Sequence, residues 1–429
     1  MPGPPPRPAP RRAPRPSSRT FLIRRVVAAT LAVALLALLW VGGSAAVGAV
    51  RSVGDGGSGS SGGEAAGPGE QDEATAASTI PPHLRVPDGP PAAERTLAVA
   101  ETLGGEISPK SVVASNTGLV FAQNMMYNHS VTVYSSEGEQ VATIDDTVDL
   151  AEFGAADAPT VIQGAPVEGA VSPDGAHYWV SNYSMYGPGQ GPEGDDACTP
   201  EGSVASGYTP SYLYRIDTDD LAIDAVVAVG LVPKYVATTP DGRFVLATNW
   251  CSWDLSIVST ETNEVVGTVS ALGRYPRGVV VTPDSRFAYV AIMGESHITK
   301  VDLDTQAIVG TIEVGRGPRH VVLDPEGRYL YASLNHTGEV VKVDLSNDTV
   351  VGRQYTGAEA RSLAISNDGT ALYVVNYESN NVSVLRAADL GVLQTIETGV
   401  HPIGITYDGV TGDVWVAIYT GQLLRLSSA

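Results

Sequence analysis

The sequence predicts an all-β fold: a seven-bladed β-propeller of four-stranded blades, closed by its N-terminal strand and preceded by a single transmembrane helix. Three observations predict the propeller. One turn recurs seven times at nearly even spacing, and the intervals between turns hold four short strand-like runs each. The composition is rich in turn formers, with 47 Gly and 29 Pro against 5 Phe and 5 Met in 429 residues. Two Cys exclude a small disulfide scaffold, and the scarcity of Lys, Phe and Met is unlike a helical bundle or coiled coil.

The recurring turns are Ser115–Gly118 (SNTG), Ser172–Gly175 (SPDG), Thr239–Gly242 (TPDG), Thr282–Ser285 (TPDS), Asp324–Gly327 (DPEG), Ser366–Gly369 (SNDG) and Thr406–Gly409 (TYDG). Their spacings of 57, 67, 43, 42, 42 and 40 residues are those of propeller blades, with long insertions in the first two units. Pro fixes φ and Gly relieves the steric limit on φ, so each motif is a structural turn between first and second strands. In the fourth unit the strands are expected at Gly278–Thr282, Phe287–Ile292, Ile298–Leu303 and Ile308–Val314, dominated by Val, Ile, Tyr and Thr. The last unit stops after three strands, while Arg95–Thr102 (RTLAVAET) reads as a strand ahead of the first. That strand is expected to complete the last blade and remove an open sheet edge.

Phrases such as Tyr289-Val290-Ala291, Tyr331-Ala332-Ser333-Leu334-Asn335 and Tyr373-Val374-Val375-Asn376-Tyr377, followed by strands such as Val382-Ser383-Val384-Leu385, resemble the YVTN-repeat β-propellers of bacteria and archaea. The resemblance covers residues 92–429. It implies the fold and leaves the activity open, because that family and its relatives include binding proteins, surface-layer components, lactonases and partners of redox enzymes.

Ahead of the propeller lie three segments. Residues 1–25 hold seven Arg and no acid, and are expected in the cytoplasm by the positive-inside rule. Residues 26–50 carry no charge and can span a bilayer as a signal anchor. A cleaved signal peptide is the alternative, since small residues at Gly43–Ala46 and Val47–Ala49 fit its template, whereas Ser18–Leu22 supplies one Arg where a twin-arginine signal wants two. Either reading exports the propeller. Residues 51–91 turn into a Gly/Ser/Glu linker too poor in apolar surface to fold. Within it, Gly59-Ser60-Ser61-Gly62-Gly63 matches G-x-S-x-G with no strand before it and no helix after it, and is read as chance.

From residue 92 onward 17 basic residues face 41 acidic ones, an excess of 24 negative charges. Such a body repels polyanions at long range, so no nucleic-acid partner is expected. No haem-attachment motif, P-loop, calcium loop or paired-carboxylate motif stands out, and no cofactor or metal is expected.

The residues that could form a site gather on the face carrying the fourth-to-first and second-to-third connections. Met125, Met126, Met185 and Met293 fall there with Tyr127, Tyr183, Tyr186, Trp250, Trp253, Tyr377 and Tyr419, as an aromatic rim or as packing between blades. His129, His297, His320, His336 and His401 map to the same face and His177 does not; none has zinc-site spacing. Aligned on the turns, Lys110, Lys234, Arg277, Arg319 and Arg361 share one register just before the innermost strand, with Val167 and Ile403 in the other two blades. That register points at the mouth of the central channel, where like charges repel unless an anion or local acids answer them. Cys198, in the second blade's insertion, and Cys251, in the corresponding loop of the third, are expected to form a disulfide on topological grounds.

The reading is a membrane-tethered, extracytoplasmic propeller that binds an anionic small molecule or an envelope protein without chemistry. Its binding residues would be the five cations with His320, His336 and His401. Alternatives are an enzyme of lactonase or lyase type working through His and Arg, and a structural protein of the cell envelope.

Overall fold

The computed structural model describes residues 85–191 and 198–429. The anticipated cytoplasmic tail and signal anchor, and the linker as far as residue 84, lie outside the described residues. Among those described, no helix is long and apolar enough to cross a membrane.

Seven antiparallel sheets make the blades. The inner strands are Pro109–Ala114, Val161–Val171, Pro233–Thr238, Pro276–Val281, Pro318–Leu323, Ala360–Ile365 and Pro402–Tyr407. Each touches the next, and the seventh touches the first, so they close a ring around the axis. The fourth blade has strands Pro276–Val281, Phe287–Ile292, His297–Asp302 and Ala307–Glu313, within two residues of expectation. The second blade departs from the four-stranded plan. Its inner strand is lengthened on the mouth side, where Thr147–Asp149 adds a fifth strand against Val161–Gln163.

Closure follows the expected route. Leu97–Leu103 pairs with Gln422–Ser428 and becomes the outer strand of the seventh blade. A clasp to the sixth blade supports it: the Leu97 N–H donates to Gln394 Oε1 at 3.0 Å, and Gln394 Nε2 donates to the Leu97 carbonyl at 2.7 Å. Residues just ahead of that strand lie on the turn face, where Asn367 donates to the Arg85 carbonyl and the Ala92 N–H donates to Asp368 Oδ2 at 2.8 Å. The described end of the linker is thus part of the packed body.

The turns show why their sequence recurs. In the third blade Thr239 Oγ1 donates to Asp241 Oδ1 at 2.6 Å, and that oxygen also accepts from the Arg243 N–H at 3.0 Å. Gly242 then takes φ +72°. In the fourth blade Ser285 takes the left-handed position at φ 60°, and its hydroxyl accepts from the Asp241 N–H of the neighbouring turn at 2.9 Å. The core lies between blades, where second-strand residues Tyr289, Tyr331 and Tyr373 are buried against the next sheet.

Candidate functional site

Every inner strand carries the same irregularity, at its start in six blades and in mid-strand in the lengthened second blade. The pairing of inner and second strands slips between Pro109 and Ser111, Pro166 and Glu168, Pro233 and Tyr235, Pro276 and Val279, Pro318 and His320, Ala360 and Leu363, and Pro402 and Gly404. A β-bulge leaves an extra residue unpaired and re-aims its side chain. In five blades that residue is Lys110, Lys234, Arg277, Arg319 or Arg361.

The residue before the bulge is bent as well. Val232, Tyr275, Gly317, Glu359 and His401 take φ of 55°, 61°, 71°, 54° and 61°. The carbonyl of each accepts an N–H from the second-to-third loop of its own blade, at 2.8 to 3.0 Å, from Trp250, Met293, Asn335, Tyr377 and Tyr419 in turn. A left-handed β-branched Val232 ahead of Pro is a costly conformation, held here by its surroundings. One device thus sets a rim side chain beside a bulged cation.

The contacts follow. The Lys234 ammonium lies 3.9 Å from the Tyr183 ring centre and 5.0 Å from that of Trp250. The Arg361 guanidinium covers Tyr377 at 3.4 Å, and Tyr377 stacks on His401 at 4.2 Å. Lys110 stands 5.5 Å over Tyr419. The rim is therefore partly a set of cation–π supports for the cations. Tyr183, Trp250 and Met185 are buried, and Trp250 stacks on Tyr275, which is the inter-blade packing role.

The five cations interact. Lys110 is held well below the usual lysine range by burial first, then by Arg319, Arg277, Lys234 and Arg361. Arg319 is depressed by burial, Arg277 and Arg361, against the pull of Glu168 and Glu359. Two carboxylates stand among them. Glu168 lies 3.6 Å from Arg277, and Glu359 lies 2.7 Å from Arg361. Burial of Glu168 outweighs the cations and raises its pKa above the ordinary carboxylate range. Arg319 Nη1 is buried with no hydrogen-bond partner among the described residues.

Next along the inner strands comes a second ring: Ser111, Glu168, Tyr235, Gly278, His320, Ser362 and Gly404. All except Gly278 line a channel of about 370 Å³. Gly278 is set by close approach, since a Cβ there would lie 2.8 Å from His320 Cα. His320 Nδ1 accepts the Leu363 N–H at 2.9 Å, which places its one proton on Nε2, facing the Tyr235 hydroxyl. Burial, then Arg319 and Arg277, push its pKa down to about 3.

Of the expected site residues, the five cations come together. His320 lies in the channel ring with both nitrogens engaged by blades 3 and 6. His336 and His401 sit farther out on loops: His336 packs against Gly317, and His401 lies 3.7 Å from Glu378. Arg274, also counted among the face's cations, reaches Glu295 at 3.8 Å. On the opposite face His177, Asp217 and Asp224 place ligand-type atoms within 4.8 Å of one another. Asp224 is already taken by two bonds from Arg215, at 2.8 and 2.9 Å, and Asp217 by the N–H groups of Asp219 and Asp220.

Cys198 and Cys251 are bonded, with Cα atoms 5.4 Å apart, across 53 residues of chain. The bridge ties the second blade's insertion to the loop that carries Trp250. Cys251→Ser is expected to lower unfolding free energy by about 2–4 kcal/mol, read by denaturant titration of oxidised protein against variant.

Residues 216–400 match the family model of the YNCE-like beta-propeller, a stretch that includes the inner strands bearing Lys234, Arg277, Arg319 and Arg361. No curated protein matches the chain. Among solved structures, a chain of Kuenenia stuttgartiensis hydrazine synthase is similar at TM-score 0.59 and 16% identity, covering 76% of this chain and 97% of that one. At that identity the likeness speaks for fold alone. Blade geometry, the family model over residues 216–400 and the structural likeness agree that the chain holds a β-propeller.

Proposed function

We propose that this is a membrane-tethered, extracytoplasmic propeller of the YVTN-repeat kind that binds a carboxylate- or phosphate-bearing ligand at the mouth of its central channel. The observation that carries the reading is an unbalanced charge. Among the described residues two carboxylates, Glu168 and Glu359, stand against the five bulged cations, and one donor of Arg319 has no partner. Guanidinium groups suit such an anion, since each can hold it through two parallel bonds. A binding role is favoured over a lactonase or lyase because both nitrogens of His320 are occupied by Tyr235 and the backbone.

Calorimetric titration with inorganic phosphate and with citrate, at stepped NaCl, tests the reading. Affinity is expected to fall as salt rises. The double variant R277Q/R319Q is expected to keep its fold and lose that salt dependence. Unchanged binding in the variant would move the site to the aromatic rim. For the tether, protease applied to intact cells is expected to release the propeller by cutting between Arg51 and Pro91, and a mature chain starting near Ala46 or Ala49 would replace the anchor with a cleaved signal.

A further inference from the structure

Two of the five cations, Arg319 and Lys110, are held by no carboxylate among the described residues, and of these only Lys110 is an amine. Arg277 and Arg361 each lie within 4 Å of a carboxylate, and Lys234 is packed between two aromatic rings. Lys110 makes no ion pair and no hydrogen bond with any described residue; its one close partner is the Tyr419 ring. It stands on the bulge of the first blade, flanked in the ring by the two blades that carry no cation, those of Val167 and Ile403. Four other cations of the ring act on the ammonium, and Glu168, the carboxylate whose charge it feels, is paired with Arg277 at 3.6 Å.

We infer that Lys110 is a reactive amine, and that the anion taken at the mouth carries an aldehyde or ketone, which Lys110 captures reversibly as a Schiff base. The inference rests on the anion reading above, because the arginines must bring the carbonyl to the amine. The chemistry asks for an uncharged lysine, and an amine beside other cations in a desolvated site is the known way to obtain one. The depressed proton affinity of Lys110, from burial and then four neighbouring cations, agrees with that state.

The step balances without a further reagent. The Nζ lone pair attacks the carbonyl carbon and C–N forms as the C=O π pair moves to oxygen. The resulting carbinolamine then loses that oxygen as water, with the two amine hydrogens, and C=N replaces C=O. Nothing is oxidised or reduced. The carboxylate of a 2-oxo acid would remain on Arg277 and Arg319, so the neighbouring charges orient the carbonyl and also stabilise the bound form.

The chain holds four lysines, Lys110, Lys234, Lys300 and Lys342, so the adduct can be located by peptide mapping. The full propeller is incubated with glyoxylate and cyanoborohydride, which reduces C=N to a stable secondary amine, and in parallel with acetaldehyde as the uncharged control. Each unit by which the amine's pKa falls raises its neutral fraction about tenfold. Labelling of Lys110 is therefore expected to outrun that of Lys300 and Lys342 by about tenfold or more, to favour glyoxylate over acetaldehyde, and to slow as NaCl rises. Lys110→Gln and Lys110→Met are expected to remove the adduct. Phosphate binding that depends on salt, with no adduct at Lys110, would overturn the Schiff base and spare the anion site. Equal labelling of Lys110 by both aldehydes at every salt concentration would overturn both.

Discussion

Arg319→Met is expected to make the ligand-free protein more stable and a poorer binder. Arg319 is 4% exposed, with Nη1 unpartnered, and Arg277 and Arg361 oppose its charge more than Glu168 and Glu359 support it. A buried ionic group replaced by a well-packed apolar side chain of similar volume often gains roughly 1–4 kcal/mol. The same change removes charge-assisted hydrogen bonds to an anion, worth about 1.5–3 kcal/mol, or a ten- to hundredfold loss of affinity. Stability and binding would move in opposite directions, the pattern of a site kept at the fold's expense. Denaturant titration with and without phosphate checks it. Wild type is expected to gain stability with phosphate and the variant little. A less stable Arg319→Met protein in phosphate-free buffer, with wild type indifferent to phosphate, would make Arg319 a structural residue.

What the sequence made legible follows from which features are local. The recurring Thr/Ser-x-Asp-Gly turn builds its own hydrogen bonds over five residues, so the blades could be counted and aligned. The cation register was legible for the same reason, because Lys110, Lys234, Arg277, Arg319 and Arg361 each sit a constant distance from their turn. Less visible was the bulge that re-aims them, since a bulge is a relation between two strands. The channel ring lies one place further along the same register: the residues after the five cations, Val167 and Ile403 are Ser111, Tyr235, Gly278, His320, Ser362, Glu168 and Gly404. Thr147–Asp149 was missed because a three-residue strand carries no period. The sequence places His320 on one face with four other histidines and cannot show its burial, because its partners Tyr235 and Leu363 are 85 and 43 residues away. The rim posed a choice between ligand contact and packing, and Lys234 on Tyr183 shows an aromatic doing neither alone.

That placement of His320 gives the second large effect. Its folded pKa of about 3 lies below the ordinary value of 6.5. Between those two values the unfolded chain takes up a proton that the folded protein refuses, because Nδ1 already accepts the Leu363 N–H and Arg319 and Arg277 stand near. For a base whose folded pKa is depressed, stability is intact above the unfolded value, falls as pH drops through the window, and levels off below the folded value. At about 1.4 kcal/mol per unit, the loss from pH 6.5 to 3 is roughly 4–5 kcal/mol. The turn carboxylates Asp174, Asp241, Asp284 and Asp368 have lowered pKa values and contribute their own loss only as pH falls below the usual carboxylate range. The histidine step is therefore read between pH 6.5 and 4.5. His320→Gln can accept from Leu363 and donate to Tyr235 without titrating, and buried acids with raised pKa such as Glu168 and Asp146 act alike in both proteins, so wild type is expected to lose stability relative to the variant across that interval. The same pH dependence in the two proteins would mean that His320 takes up its proton in the folded state as readily as in the unfolded chain.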